Sequence, residues 1–116
     1  METTNVMKSE LKLDKTSKIL FAKVQGAFKP DDATEFVMAY TKNVAEINPK
    51  EYELHFDSTQ LKVSTQDMVP MLSACFEMYK KDEFRKIVFN CGANATLKLQ
   101  INRVGKTVGL LNYELV

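Results

Sequence analysis

The sequence predicts one α/β domain in which strands and helices alternate, and three observations carry that expectation. Apolar and polar residues alternate with period two in short runs near the start and again around residues 52–57. Three later stretches repeat apolar residues at helical spacing. Between two of them lies an unbroken apolar triplet, Ile87-Val88-Phe89, the pattern of a strand buried on both faces by flanking helices. A chain of 116 residues is the length of a single core, and an apolar fraction of 45% with seven Phe and four Tyr supplies enough bulk to build it.

Taken in order, residues 1–8 read as an unstructured start and 9–116 as the domain. Ser9 to Asp14 alternates Leu11 and Leu13 with Lys12 and Asp14, Thr16-Ser17 turns the chain, and Ile19 to Val24 returns as the second strand of a hairpin that Gly26 ends. Pro30-Asp31-Asp32 opens the first helix, with Asp32 and Glu35 at capping-box spacing. Its buried stripe is Ala33, Phe36, Val37, Tyr40, Val44 and Ile47, and Asn48-Pro49 stops it.

Tyr52 to Asp57 alternates as a third strand, which Leu61 and Val63 extend or follow as a loop. Ser64 and Asp67 signal the second helix, whose stripe is Met68, Met71, Leu72, Cys75, Phe76 and Tyr79. Pro70 would cost a backbone hydrogen bond past the first turn of a helix capped at Ser64, so a start nearer Asp67 or an irregular first turn is expected. Ile87 to Phe89 is the fourth strand. Cys91 to Asn94 turns into a third helix with the face Leu97, Ile101, Val104 and Val108, ended by Gly109, and Leu111, Tyr113 and Leu115 form the last strand. The order β-β-α-β-α-β-α-β implies right-handed crossovers and a mostly parallel or mixed sheet flanked by helices in a layer sandwich. Strand order is invisible at this stage, and ferredoxin-like or thioredoxin-like arrangements fit the same pattern.

Sixteen basic against fifteen acidic residues leave a formal charge of +1. Lys80-Lys81-Asp82-Glu83-Phe84-Arg85-Lys86 mixes both signs, as a solvated helix end does. No nucleic-acid partner is expected, because a binder gathers a basic surplus on one face. Cys75 and Cys91 are too few for a disulfide framework and lack zinc-site spacing. The polar N-terminus lacks the charge and apolar run of a signal peptide, and no stretch reaches bilayer-spanning length. A cytoplasmic protein without membrane insertion, metal or cofactor is the expectation.

The stretch Val63-Ser64-Thr65-Gln66-Asp67-Met68, opening the second helix of this element order, resembles the corresponding segment of the STAS domain family, the anti-sigma-factor antagonist fold also found at the ends of sulfate transporters. The resemblance covers nearly the whole chain from about Ser9 and rests on element order and hydrophobic spacing more than on identities. The family carries an apolar residue, then Asp-Ser-Ser/Thr-Gly, then an apolar residue. Here Ser64 replaces the Asp, Gln66 takes the phosphosite and Asp67 takes the glycine, while Thr65 keeps a hydroxyl one residue earlier. The resemblance implies partner docking at Ser64, Thr65, Gln66, Asp67 and Met68, with Ser64 or Thr65 as residues a kinase would modify.

Other residues offer chemistry of their own. His55, the single histidine, shares a strand face with Glu53 and Asp57, a grouping that can orient an imidazole for general-base work or metal ligation; an edge or half-exposed strand with a polar face is the simpler account. Cys91 precedes a glycine and a helix start, where backbone N–H groups can favour a thiolate, but a small core residue is the simpler reading. Residues 91–96 and Gly105-Lys106-Thr107 echo anion-binding loops without the required glycines. Met68 and Met71 fall on the core stripe, whereas Met78 lies off it as a surface candidate. The expected function is a non-enzymatic regulatory or scaffolding domain that binds a kinase-like or other regulatory protein. A small-ligand or lipid-binding domain, which needs an apolar pocket between sheet and helices, is the alternative, and an exposed edge strand would permit a homodimer.

Overall fold

The computed structural model describes residues 8–116, so the expectation for residues 1–7 lies outside the described residues. Among the described residues, five strands, β1 (Ser9–Asp14), β2 (Ile19–Gly26), β3 (Glu53–Leu61), β4 (Lys86–Asn90) and β5 (Tyr113–Leu115), form one sheet in the order β1-β2-β3-β4-β5. β1 and β2 pair antiparallel as the expected hairpin, with Leu11 opposite Ala22 and Leu13 opposite Leu20. The remaining neighbours pair parallel, joined by α1 (Pro30–Val44), α2 (Val69–Asp82) and α3 (Ala95–Val108). No strand is inserted between two that a helix connects, which removes the split arrangements that the sequence left open.

Three successive crossovers run in the same direction across the sheet, and right-handed connections of that kind stack every helix on one face. Burial shows this directly. Leu20, Ala22 and Val24 of β2, Leu54, Phe56 and Ser58 of β3, and Ile87 and Phe89 of β4 are buried, whereas Phe21, Lys23, Asp57 and Asn90, on the opposite face, are exposed. The fold is therefore two layers, helices over a mixed sheet. The expectation that β4 is covered on both faces is corrected here, because Val88 pairs with His55 and Glu114 on the uncovered face. Three residues are too short a run to distinguish a strand covered twice from one whose outward residue is simply apolar.

Aromatic rings fill the helix side. Phe89 stacks between Phe56 and Phe76, with centroids 5.1 and 5.2 Å away, and Phe36 and Tyr79 pack against Phe56 from α1 and α2. Tyr40 donates a hydrogen bond to Asp82 at 2.5 Å, tying α1 to the end of α2, and burial with this carboxylate pushes its phenol well above its ordinary range. Met78 packs against the core, which corrects its reading as a surface residue. Leu111 is 71% exposed and lies outside β5; Leu110 is the buried residue of that turn.

The helix starts differ from their predicted caps. In α1, Pro30 occupies the first turn and Asp32 reaches back to accept from the Lys29 N–H at 2.8 Å, so Asp32 acts as the third helical residue and Glu35 is not its partner. Lys8 adds an ion pair to Asp32 at 3.1 Å. The amide hydrogen bond from Lys29, helped by Lys8, holds the Asp32 carboxyl below the usual range against the opposing effect of burial. A carboxylate lowered by folding contributes stability that is present above its unfolded value, near pH ~3.9, and is lost as pH falls through the folded value. Asp32→Ala should therefore cost about 1 kcal/mol at neutral pH. The difference from the parent chain should close as urea melts are repeated toward pH ~3; a deficit constant with pH would show that the charge has no part in it.

Candidate interaction site

The candidate segment lies where β3 leaves the sheet. β3 carries one extra residue relative to β2, since Lys23 is opposite Asp57 but Gln25 is opposite Gln60. Asp57 stabilises this bulge by accepting from the Thr59 N–H at 3.1 Å and hydroxyl at 2.7 Å, which holds the Asp57 carboxyl below its usual range. The bulge turns both Ser58 and Leu61 toward the helix layer, and the strand ends at Leu61 with Val63 beyond it.

The chain then runs through Lys62 to Thr65 into a 3-10 turn, Gln66–Met68, and only afterwards into α2. This irregular entry meets the requirement imposed by Pro70, which falls in the first turn of α2, where its missing N–H is tolerated. Ser64 and Asp67 do not cap α2, correcting the sequence reading; the residue at its N-cap is Met68, whose side chain is buried and makes no cap hydrogen bond.

Ser64 is held from both sides by one side chain. Its N–H donates to Gln100 Oε1 at 2.8 Å, and Gln100 Nε2 donates back to the Ser64 carbonyl at 2.9 Å. Gln100 belongs to α3, so the amide fixes the loop to an element 36 residues away in sequence. No local pattern announces such a contact. Beyond this clamp, Thr65, Gln66 and Asp67 are exposed, and the Thr65 hydroxyl donates to Asp67 Oδ1 at 2.6 Å. The five predicted residues thus divide into an anchored Ser64, an outward Thr65-Gln66-Asp67 turn and a buried Met68.

The other candidates resolve separately. His55 Nε2 and Glu53 Oε1 are 2.8 Å apart, and Arg85 donates to Glu53 Oε2 at 2.9 Å, so the Glu53 carboxyl is held below its usual range first by His55 and then by Arg85. Asp57 is committed to Thr59 instead, which separates it from the predicted group. β3 is the central strand, and His55 is half-buried because its face of the sheet carries no helix, not because the strand lies at an edge. Cys91 is buried, and burial raises its thiol above the ordinary value; Cys75 is pushed up to about 11 for the same reason. Cys91 therefore takes the simpler of its two readings, a small core residue, and the alternative of a favoured thiolate falls to desolvation.

Three amides of the segment that follows already have partners, with Gly92 N–H bonded to Asn90 Oδ1, Asn94 N–H to the Cys91 carbonyl and Leu97 N–H to the capping Asn94 Oδ1. Among the described residues, no group of three or more His, Cys, Asp or Glu side chains is placed to hold a metal ion, and no helix is long and apolar enough to cross a membrane. No protein-family model matches the chain, and neither does any curated protein. What the geometry defines is a two-layer α/β domain with one anchored, outward-facing turn at the end of its central strand.

Proposed function

We propose that this chain is a non-enzymatic regulatory domain of STAS-like type that binds another protein through Ser64, Thr65, Gln66, Asp67 and the start of α2. The observation that carries this reading is the Gln100 clamp. It fixes the backbone at Ser64 while leaving Thr65, Gln66 and Asp67 exposed. A recognition loop whose backbone is already ordered loses less entropy on binding. The same element order and the same position in the chain underlie the family resemblance.

Thr65 is the residue a kinase would reach, since Ser64 is half-buried. A phosphate there would add a charge of roughly −1.5 to −2 beside Asp67, break the hydroxyl–carboxylate bond and re-form the turn, changing the surface a partner reads.

Affinity capture from the native lysate, wild type beside a chain carrying Ser64→Ala, Thr65→Ala and Gln66→Ala, tests the proposal. A specific protein should be retained by the first and lost by the second, and Thr65→Glu should change its affinity by about tenfold, or ~1.4 kcal/mol. Recovery of the same proteins in equal amount by all three forms would sink it.

A further inference from the structure

The core is not filled. Between the three helices and the sheet, directly beneath the Ser64 turn, lies a cavity of about 80 Å³. Its wall is aromatic, built from Phe36, Phe56, Phe76, Tyr79 and Phe89. The stacked rings brace one another and cannot swing inward to fill the space. Two small residues, Ala33 on α1 and Ser58 on β3, stand where larger side chains would close it.

Ser58 is the polar feature of this wall. It is 1% exposed, the one buried polar residue of the core among the described residues. No fully sealed side-chain nitrogen or oxygen among those residues lacks a hydrogen bond. The Ser58 side chain borders the cavity. A serine oxygen can both donate and accept, so its place among phenylalanines marks where a polar group would be received. Gln100 lines the same space, but its amide is spent on the Ser64 backbone.

We infer that this cavity is a binding site for a compact apolar molecule carrying a single hydroxyl or carbonyl group, its body against the aromatic wall and its polar group on Ser58. Size selects the class. The volume is several times the roughly 10–15 Å³ that one water requires and about half that of an engineered 150 Å³ apolar cavity that takes benzene or xenon. It falls well below the ~300 Å³ of sites for drug-sized ligands, so a lipid or nucleotide cofactor does not fit. The site is independent of protein docking at Thr65, and its test is read on the isolated chain, so either reading can fail without the other.

The experiment is a titration with isobutanol, and separately with xenon gas, followed by methyl NMR. Saturable shifts are expected at Met68, Met71, Leu97 and Ile101, which line the cavity, and not at exposed Met38 or Leu99. Ser58→Leu and, as a second filling variant, Ala33→Leu should abolish these shifts while circular dichroism remains that of the folded chain. Ser58→Ala should weaken isobutanol and leave xenon unaffected. Absence of saturable shifts with both probes, persistence of the shifts in a folded filling variant, or equal weakening of both probes by Ser58→Ala would each overturn the inference.

Discussion

Phe89→Ala should lower the unfolding free energy by about 3–5 kcal/mol, the range for removing a large buried aromatic side chain. Phe89 is the hinge of the ring stack: Phe56 lies on it with planes 10° apart, Phe76 with planes 16° apart, and Tyr113 meets it edge-on. It also borders the existing cavity, so its loss would enlarge a void that the braced rings cannot collapse. A small domain holds only about 5–15 kcal/mol in total, and the urea midpoint should fall steeply with an unchanged slope. Phe21→Ala provides the contrast. That ring is 42% exposed on the uncovered face, where it meets the edge of His55, and its removal should cost less than about 1 kcal/mol. Equal losses at the two positions would mean that the helices do not cover one face alone.

The contrast also marks how far the sequence could be read. Period-two alternation around Phe56 and the 3.6-residue stripes of the helices identified nearly every element, because these patterns are local consequences of one-sided burial. Which faces of the sheet were covered was not local. Phe21 and Phe89 both sit in apolar runs, and only the strand order, with every crossover stacking helices on one side, separates them. The helix caps failed for a related reason. Asp32 was placed correctly at the start of α1, but its amide partner depended on where the helix began, which Pro30 shifted by three residues. At the candidate site, the pattern located the exposed turn and the difficulty at Pro70. The Gln100 clamp and the cavity under it could not be foreseen, since the first joins α3 to a residue 36 positions earlier and the second is lined from all three helices and the sheet.

Gly105 presents a case in which two physical effects compete, and the structure decides between them. Glycine inside a helix normally costs about 1 kcal/mol relative to alanine, so Gly105→Ala, judged from α3 alone, should stabilise. A Cβ at this position would lie 2.9 Å from Tyr113 Cζ and 3.1 Å from its hydroxyl oxygen, closer than packed atoms tolerate. The ring cannot move without loss, because its hydroxyl donates to Asn102 Oδ1 at 2.8 Å and its edge rests on Phe89. Overpacking of this kind costs about 1–3 kcal/mol. Gly105→Ala should therefore destabilise by about 1 kcal/mol despite its better helix propensity, and Gly105→Val, with two more methyl groups and a stiff χ1, by about 3 kcal/mol. A double-mutant cycle isolates the cause. With Tyr113→Ala in place the obstruction is gone, and Gly105→Ala should now stabilise by about 1 kcal/mol, reversing its sign. If Gly105→Ala destabilises equally in both backgrounds, the cost resides in α3 itself, and the packing of β5 against that helix is not what requires glycine.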